Sequence, residues 1–170
     1  MLLIEPTMEY DREIQAFRQD YADHGDMDGS GNLRRFERTE DWLTYLAAMQ
    51  HAETAPGPVP ATQYIYVRET DGKIVGVLQI RHYLNDYLEQ YAGHIGYSVC
   101  PSERRKGYAT QMLAAGLEKC RERGMDRVLV CCRPENVGSR RTILLNGGVW
   151  ESTVWVPDRE TWLERYWITL

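Results

Sequence analysis

The sequence predicts an α/β layered sandwich, with a mixed, mostly antiparallel central sheet flanked by helices. Three observations predict it. Apolar residues make up 43% and charged residues 26% of the 170, a globular balance with enough chain for a substantial core. Helical-period segments fill the first third, and β-branched and aromatic runs dominate after Ala61. The order that results is strand, two helices, three strands, helix, strand, helix, two strands, which alternates as layered α/β folds do.

Taken in order, Met1 to Ile4 reads as a short strand. Tyr10, Ile14, Phe17 and Tyr21 recur at helical spacing with one apolar face. The run from His24 to Gly31 is rich in glycine and carboxylates and reads as an exposed loop. Thr39 is the expected N-cap of a second helix, with Trp42, Leu43, Leu46 and Met49 inward, and Pro56, Pro58 and Pro60 end it. Gln63 to Arg68 and Ile74 to Ile80 make a hairpin around Asp71-Gly72. His94 to Cys100 is a third strand in this group, stopped by Pro101.

A helix follows with Ala109, Met112, Leu113, Gly116, Leu117 and Cys120 on one face, closed by Gly124. Arg127 to Cys132 is an apolar strand suited to burial on both faces. Ser139 to Leu145 is a short helix stopped by Gly147-Gly148, and Val149 to Val156 and Arg165 to Leu170 flank a Pro157-Asp158 turn. One domain is expected over 1–170, with a helical part at 1–60 and the core at 61–170.

A net charge of −5 and a pI near 5.4 argue against a nucleic-acid or anionic-membrane partner. No run approaches the roughly 20 apolar residues that span a bilayer, and the N-terminus lacks the features of a secretory signal. Cys100, Cys120, Cys131 and Cys132 show no CxxC spacing and read as small buried thiols. A reduced, cytoplasmic protein is expected.

The chemistry-bearing segment is Ser98 to Thr110, where a strand ends and a helix begins. The first amides of a helix lack intrahelical partners and carry the positive end of its dipole, so a pyrophosphate placed there meets several N–H groups at once. Gly107 permits close backbone approach, Ala109 is small, and Arg104, Arg105 and Lys106 add positive charge. No GxxxxGK[ST] or strand-borne GxGxxG competes with this reading.

This segment resembles the pyrophosphate loop of the GNAT acyltransferase superfamily, Gln/Arg-x-x-Gly-x-Gly/Ala, through Arg104, Gly107 and Ala109. Asn136-Val137-Gly138-Ser139, followed by Asn146-Gly147-Gly148, is similar to the family's second signature. The likeness covers roughly residues 60–170 and is closest to uncharacterised bacterial members. It implies acetyl-CoA as co-substrate, held by Ser98, Val99, Cys100, Arg104, Arg105, Lys106, Gly107, Tyr108, Ala109, Thr110, Asn136 and Ser139. It implies acetyl transfer to a primary amine of a small molecule or peptide, by direct attack in a ternary complex. Homodimerisation stays open.

Backbone N–H groups near Val99 and Cys100 are expected to position the acyl group and meet its oxyanion. Many members carry a thiolate-protonating Tyr that counting back from Gly148-Val149 places at Leu144, here expected in the core. His94 is the candidate general base, with Glu89, His82 and Asp86 as alternatives. A nucleophilic Cys100 finds no obvious His–acid partner. Asp20, Asp23, Asp26 and Asp28 either attract a cationic amine or solvate a loop. Tyr83, Tyr87 and Tyr91 either line a pocket or form a helical face. No metal is expected, since no ligand-spaced cluster is visible and thioester aminolysis needs no Lewis acid. The alternative reading is a non-catalytic acyl-CoA-binding module, which the missing Tyr favours.

Overall fold

The hydrophobic periods of the chain become strands and helices close to where they were read, but the strands divide into two sheets. The computed structural model describes residues 1–25 and 27–170. In chain order the elements are β1 (Leu2–Ile4), α1 (Asp11–Asp20), α2 (Thr39–Met49), β2 (Ala61–Val67), β3 (Ile74–Arg81), α3 (Asp86–Tyr91) and β4 (Ile95–Val99). They continue with α4 (Tyr108–Glu122), β5 (Arg127–Cys132), α5 (Val137–Leu145), β6 (Val149–Val156) and β7 (Thr161–Thr169). One sheet runs β1-β2-β3-β4 and the other β5-β7-β6, with every named pair antiparallel. An isolated bridge between Gly93 and Val130 joins them.

Two cores hold the layers together. Met112, Leu113, Leu117 and Cys120 of α4 pack with Ile143 of α5 against Leu78, Ile80 and Ile95 of the first sheet and Val128, Val130, Tyr166 and Ile168 of the second. On the opposite side, Ile14 and Phe17 of α1 and Trp42, Leu46 and Met49 of α2 cover Ile65, Val67, Ile74 and Val77. Full burial of such a side chain contributes about 1.5–3 kcal/mol, against about 0–1 for an exposed ion pair. The apolar face of α4, more than its surface charges, therefore fixes where its N-terminus points.

Several local expectations change. Thr39 is the first residue of α2 rather than its cap, and its Oγ1 accepts from Gln15 Nε2 at 2.9 Å. α3, absent from the expected element order, carries Tyr87 and Tyr91; Leu88 is its buried residue, while Tyr83 before it and Tyr87 on it are exposed. β7 starts four residues earlier than expected, at Thr161 rather than Arg165.

The glycine-rich stretch is not uniformly exposed: His24, Gly25 and Asp28 face solvent, while others are covered. Met27, Ser30 and Gly31 are buried, and Asp28 and Gly29 lie on β4. Gly29 adopts φ +69, and a Cβ there would sit 2.0 Å from the Gly96 carbonyl oxygen. Such an approach accepts only glycine. The buried Gln63 ties this loop down by donating to Gly29 O at 2.8 Å, and Trp42 Nε1 donates to Gly31 O at 2.9 Å. Asp26 lies outside the described residues.

Candidate active site

The two sheets meet at His94. Its main-chain N–H donates to Leu129 O at 2.7 Å, and its Nδ1 accepts from Leu129 N–H at 2.9 Å. An amide can only donate, so Nδ1 is unprotonated and the ring proton sits on Nε2. Burial, with the Arg81 and Arg127 charges, pushes the imidazole pKa down to about 4. Neutral His94 thus has no spare lone pair. The general-base assignment is corrected on this geometry: His94 is a joint between sheets.

Beyond that joint the strand edges separate. Cys100 N–H donates back to Val75 O on β3 at 2.9 Å, so it is not available to a bound acyl group, which corrects the expected two-amide arrangement. Ladder alternation turns the Val99 and Tyr97 amides the other way, toward the parting edge. The Val99 carbonyl is held by Tyr21 Oη at 2.7 Å and by Arg104 Nε at 3.3 Å. Ser98 Oγ donates to Asp28 O at 2.8 Å, spending its hydroxyl on the loop that covers β4.

The loop from Pro101 to Gly107 leads into α4. Gly107 adopts φ +82 as the residue before the helix and supplies no side-chain cap, and the first turn of α4 carries no acidic residue. Among the described residues, a Cβ at Gly107 would meet the Gln111 side chain, with Nε2 at 3.8 Å. Tyr108, Ala109 and Thr110 form the first helical turn, with amides facing the exposed stretch Arg104 to Gly107. This is an open, uncapped, positively polarised terminus.

Glu103 anchors the loop. Its side chain is 7% exposed and bonded by Arg68 at 3.0 Å, Lys73 at 2.8 Å and Lys106 at 2.8 Å. The hydrogen bonds of Lys106, Lys73 and Arg68 hold its pKa down to about 2. Arg68 also donates to Tyr108 Oη at 3.1 Å. Lys106 is therefore turned to Glu103, and Arg104 lies over the Tyr21 ring with its guanidinium carbon 5.7 Å from the centroid. Arg105 adopts φ +67 and is exposed. Lys106 and Arg104 thus have partners within the protein, while the first-turn amides of α4 face the exposed loop.

Cys100 Sγ donates to Asp20 Oδ2 at 2.8 Å, and Asp20 also accepts from Ser102 N–H at 3.1 Å. Burial and then the Asp20 hydrogen bond push the Cys100 thiol up to about 11, which leaves it no thiolate character for nucleophilic attack. Asp20 is a brace between α1 and the loop. Burial raises its pKa, but the hydrogen bonds from Cys100 and Ser102 and the Lys73 charge outweigh it and leave a net lowering.

Asn136 caps α5, accepting from Ser139 N–H at 3.0 Å. Ser139 Oγ and Tyr97 Oη are 2.8 Å apart, linking α5 to β4 where the sheets part. Leu144 is 50% exposed and Ile143 is the buried neighbour, so the core expectation for Leu144 was off by one residue. Among the alternative bases, His82 Nε2 lies 2.8 Å from Thr62 Oγ1 with its pKa lowered by burial and the Arg123 and His51 charges, and Asp86 and Glu89 are exposed on α3.

Among the described residues, no helix is long and apolar enough to cross a membrane, and no group of three or more His, Cys, Asp or Glu side chains is arranged to hold a metal ion.

The sequence matches the profile of the acetyltransferase (GNAT) family over residues 29–144. The match begins at Gly29, upstream of the roughly 60–170 over which the likeness was read. No curated protein sequence matches the chain. RimJ of Mycobacterium smegmatis, solved in complex with CoA-disulfide, superposes with a TM-score of 0.72 at 22% identity, covering 98% of this chain and 80% of that one. The ribosomal-protein-S5-alanine acetyltransferase of Vibrio fischeri gives 0.73 at 15% identity, covering 98% and 91%. YncA of Salmonella typhimurium, a putative acetyltransferase solved with acetyl-CoA, gives 0.70 at 15%, covering 99% and 93%. At these identities the likeness establishes the fold.

Proposed function

The chain belongs to the GNAT acetyltransferase family, and we propose that it moves an acetyl group from acetyl-CoA to a primary amine by direct attack in a ternary complex. The observation that carries this reading is the terminus of α4: an uncapped first turn after an αL glycine, with no acidic residue, at the end of β4. An amide nest of this kind fits a pyrophosphate. The Glu103 ion pairs hold the loop in place before any ligand arrives, which lowers the ordering cost of binding.

The acyl group then lies along the parting edge of β4, where the Val99 amide is the donor for its carbonyl and, in the tetrahedral intermediate, for its oxyanion. The leaving thiolate takes its proton from the Ser139–Tyr97 hydroxyl pair. Burial raises the Tyr97 pKa well above the ordinary phenol value, against the lowering by Ser139, so the pair keeps its protons at neutral pH. With His94 engaged by Leu129, the proton of the attacking nitrogen leaves to water.

The test measures free thiol released from acetyl-CoA over a panel of amines and N-terminal peptides, beside the melting temperature with and without acetyl-CoA. A native-state ligand at 100 times its Kd stabilises by about 2.7 kcal/mol, a readily measured shift. Gly107→Glu places a negative side chain in the nest at φ +82 and is expected to remove the shift. Absence of a shift in the wild type at millimolar acetyl-CoA overturns the coenzyme site, and binding without turnover of any amine supports a non-catalytic module instead.

A further inference from the structure

Arg165 stands opposite Cys131 in the β5–β7 ladder, and the Arg81 charge bears on the same thiol. In β3, Val77 packs into the core under α1 and α2, and Gln79 reaches Met49 Sδ of α2 at 3.7 Å. Strand alternation puts Arg81 on the same face. Its Nη1 donates to Gly93 O at 2.8 Å. Arg165 is the register partner of Cys131 in the β5–β7 ladder, and its Nη1 lies 2.9 Å from Glu151 Oε2 and 3.3 Å from Ser152 Oγ. The Arg165 and Arg81 charges both bear on the Cys131 thiol. Arg159, exposed in the Pro157–Arg159 turn between β6 and β7, bears on Arg81.

Internal partners take up these arginines only in part: Arg165 Nη1 pairs with Glu151, and the Asp28 charge bears on Arg81. Arg165 Nε is the buried side-chain nitrogen that, among the described residues, has no hydrogen-bond partner, and a donor left so costs about 1–3 kcal/mol. Burial and then the Arg159 charge lower the Arg81 pKa, while Cys131 and Asp28 act in the opposite sense. The carboxylates here are shared. Glu151, paired with Arg165, also accepts from Trp167 Nε1 at 2.9 Å. Asp158, next to Arg159 in the chain, accepts from Tyr87 Oη at 2.6 Å, and the Asp28 charge bears on Arg81. An anion entering here would pair with desolvated guanidinium groups. The cluster lies on the side of β4 covered by Asp28 and Gly29, opposite α4 and α5.

We propose that this cluster is the acceptor's docking point, and that the acceptor is an amino-acid-like amine whose carboxylate lies against Arg81 and Arg165, with Arg159 at the rim. The proposal rests on the acetyl-transfer reading above. It disfavours polyamines, whose charge has the same sign as the cluster.

The experiment compares amino acids with their carboxamides, and both with spermidine, as acceptors in the thiol-release assay. One charge-assisted hydrogen bond predicts at least about a tenfold advantage in kcat/KM for the acid over its amide. Arg81→Gln, which keeps a donor for the Gly93 carbonyl, should shrink that ratio to about twofold. Arg159→Glu, in an exposed turn where folding is not at stake, should shrink it by about threefold or more. Equal rates for acid and amide, preference for spermidine, or a ratio that survives both substitutions overturns the proposal. If no amine turns over, calorimetry of N-acetyl amino acids and their amides with the CoA-bound protein decides: tighter binding of the acid supports the docking point though the catalytic reading falls, and equal or absent binding overturns it.

Discussion

Leu129 exchanges two hydrogen bonds with His94, one through each residue's main-chain N–H, and the acceptor on the histidine side is the imidazole Nδ1. The imidazole completes backbone pairing at the point where the ladders of the two sheets come together, next to the Gly93–Val130 bridge. A protonated ring has no lone pair to offer there, so the joint requires neutral histidine.

That requirement sets a pH dependence. The folded-state pKa of about 4 lies below the ordinary 6.5, so the unfolded chain binds more protons between those values. Stability from this group is complete above pH 6.5 and declines as pH falls toward 4. His94→Asn keeps an acceptor near the Nδ1 position and removes the titration. Chemical denaturation at pH 7 and pH 5 is expected to show a smaller drop for His94→Asn than for wild type, with His94→Ala less stable at both. A His94→Ala protein of wild-type stability but altered pH–rate profile would return the histidine to catalysis.

Glu103 offers a second test, because its carboxylate is the shared partner of Arg68, Lys73 and Lys106. Removing one partner of a buried charge network leaves the others uncompensated, at about 3–5 kcal/mol for full burial and less where the cations reach solvent. Glu103→Gln is expected to lower the melting temperature and to weaken acetyl-CoA binding by about tenfold, since Lys106 is released and the loop loses its anchor. Its lowered pKa stabilises the fold above pH 4.5, and that contribution is lost as pH falls toward 2. Calorimetric titration with acetyl-CoA at neutral pH checks the binding arm, and unchanged affinity would show that the loop holds its shape without this residue.

What was legible in the chain was local. β5 and β6 have the expected bounds because Gly124, Gly147-Gly148 and Pro157 punctuate them with residues that cannot continue a helix or strand. The Gly107 terminus was legible for the same reason. α3, at six residues, showed only in the four-residue spacing of Tyr83, Tyr87 and Tyr91, which left a pocket lining and a helical face both open. Met27, Ser30 and Gly31 looked solvated from the glycines and carboxylates around them, and their burial depends on contacts across the fold, Gly29 with Gly96 and Trp42 with the Gly31 carbonyl. The roles of His94, Glu103 and Arg81 depend on partners more than ten residues distant in sequence, Leu129 for the first, Arg68 and Lys73 for the second and Gly93 for the third. Residue type shows that such groups exist but not whom they meet.

The proton for the leaving thiolate gives the last prediction, and Ser139 is suited to it because its substitution disturbs little else. Asn136 caps α5 through the Ser139 main-chain N–H, which any side chain leaves in place. Tyr97 Oη keeps a second acceptor, the Ser139 carbonyl at 3.5 Å, when the hydroxyl is removed. Ser139→Ala should therefore change stability by no more than about 1 kcal/mol, the net worth of one hydrogen bond. If its hydroxyl delivers the proton, kcat should fall by about 10²-fold with the acetyl-CoA melting shift retained. Ser139→Thr, which restores a hydroxyl, should recover most of the rate, and Tyr97→Phe should show a smaller loss because it removes only the relay behind Ser139. A Ser139→Ala enzyme with wild-type kcat would remove the pair from the chemistry and leave the thiolate to depart without a donor.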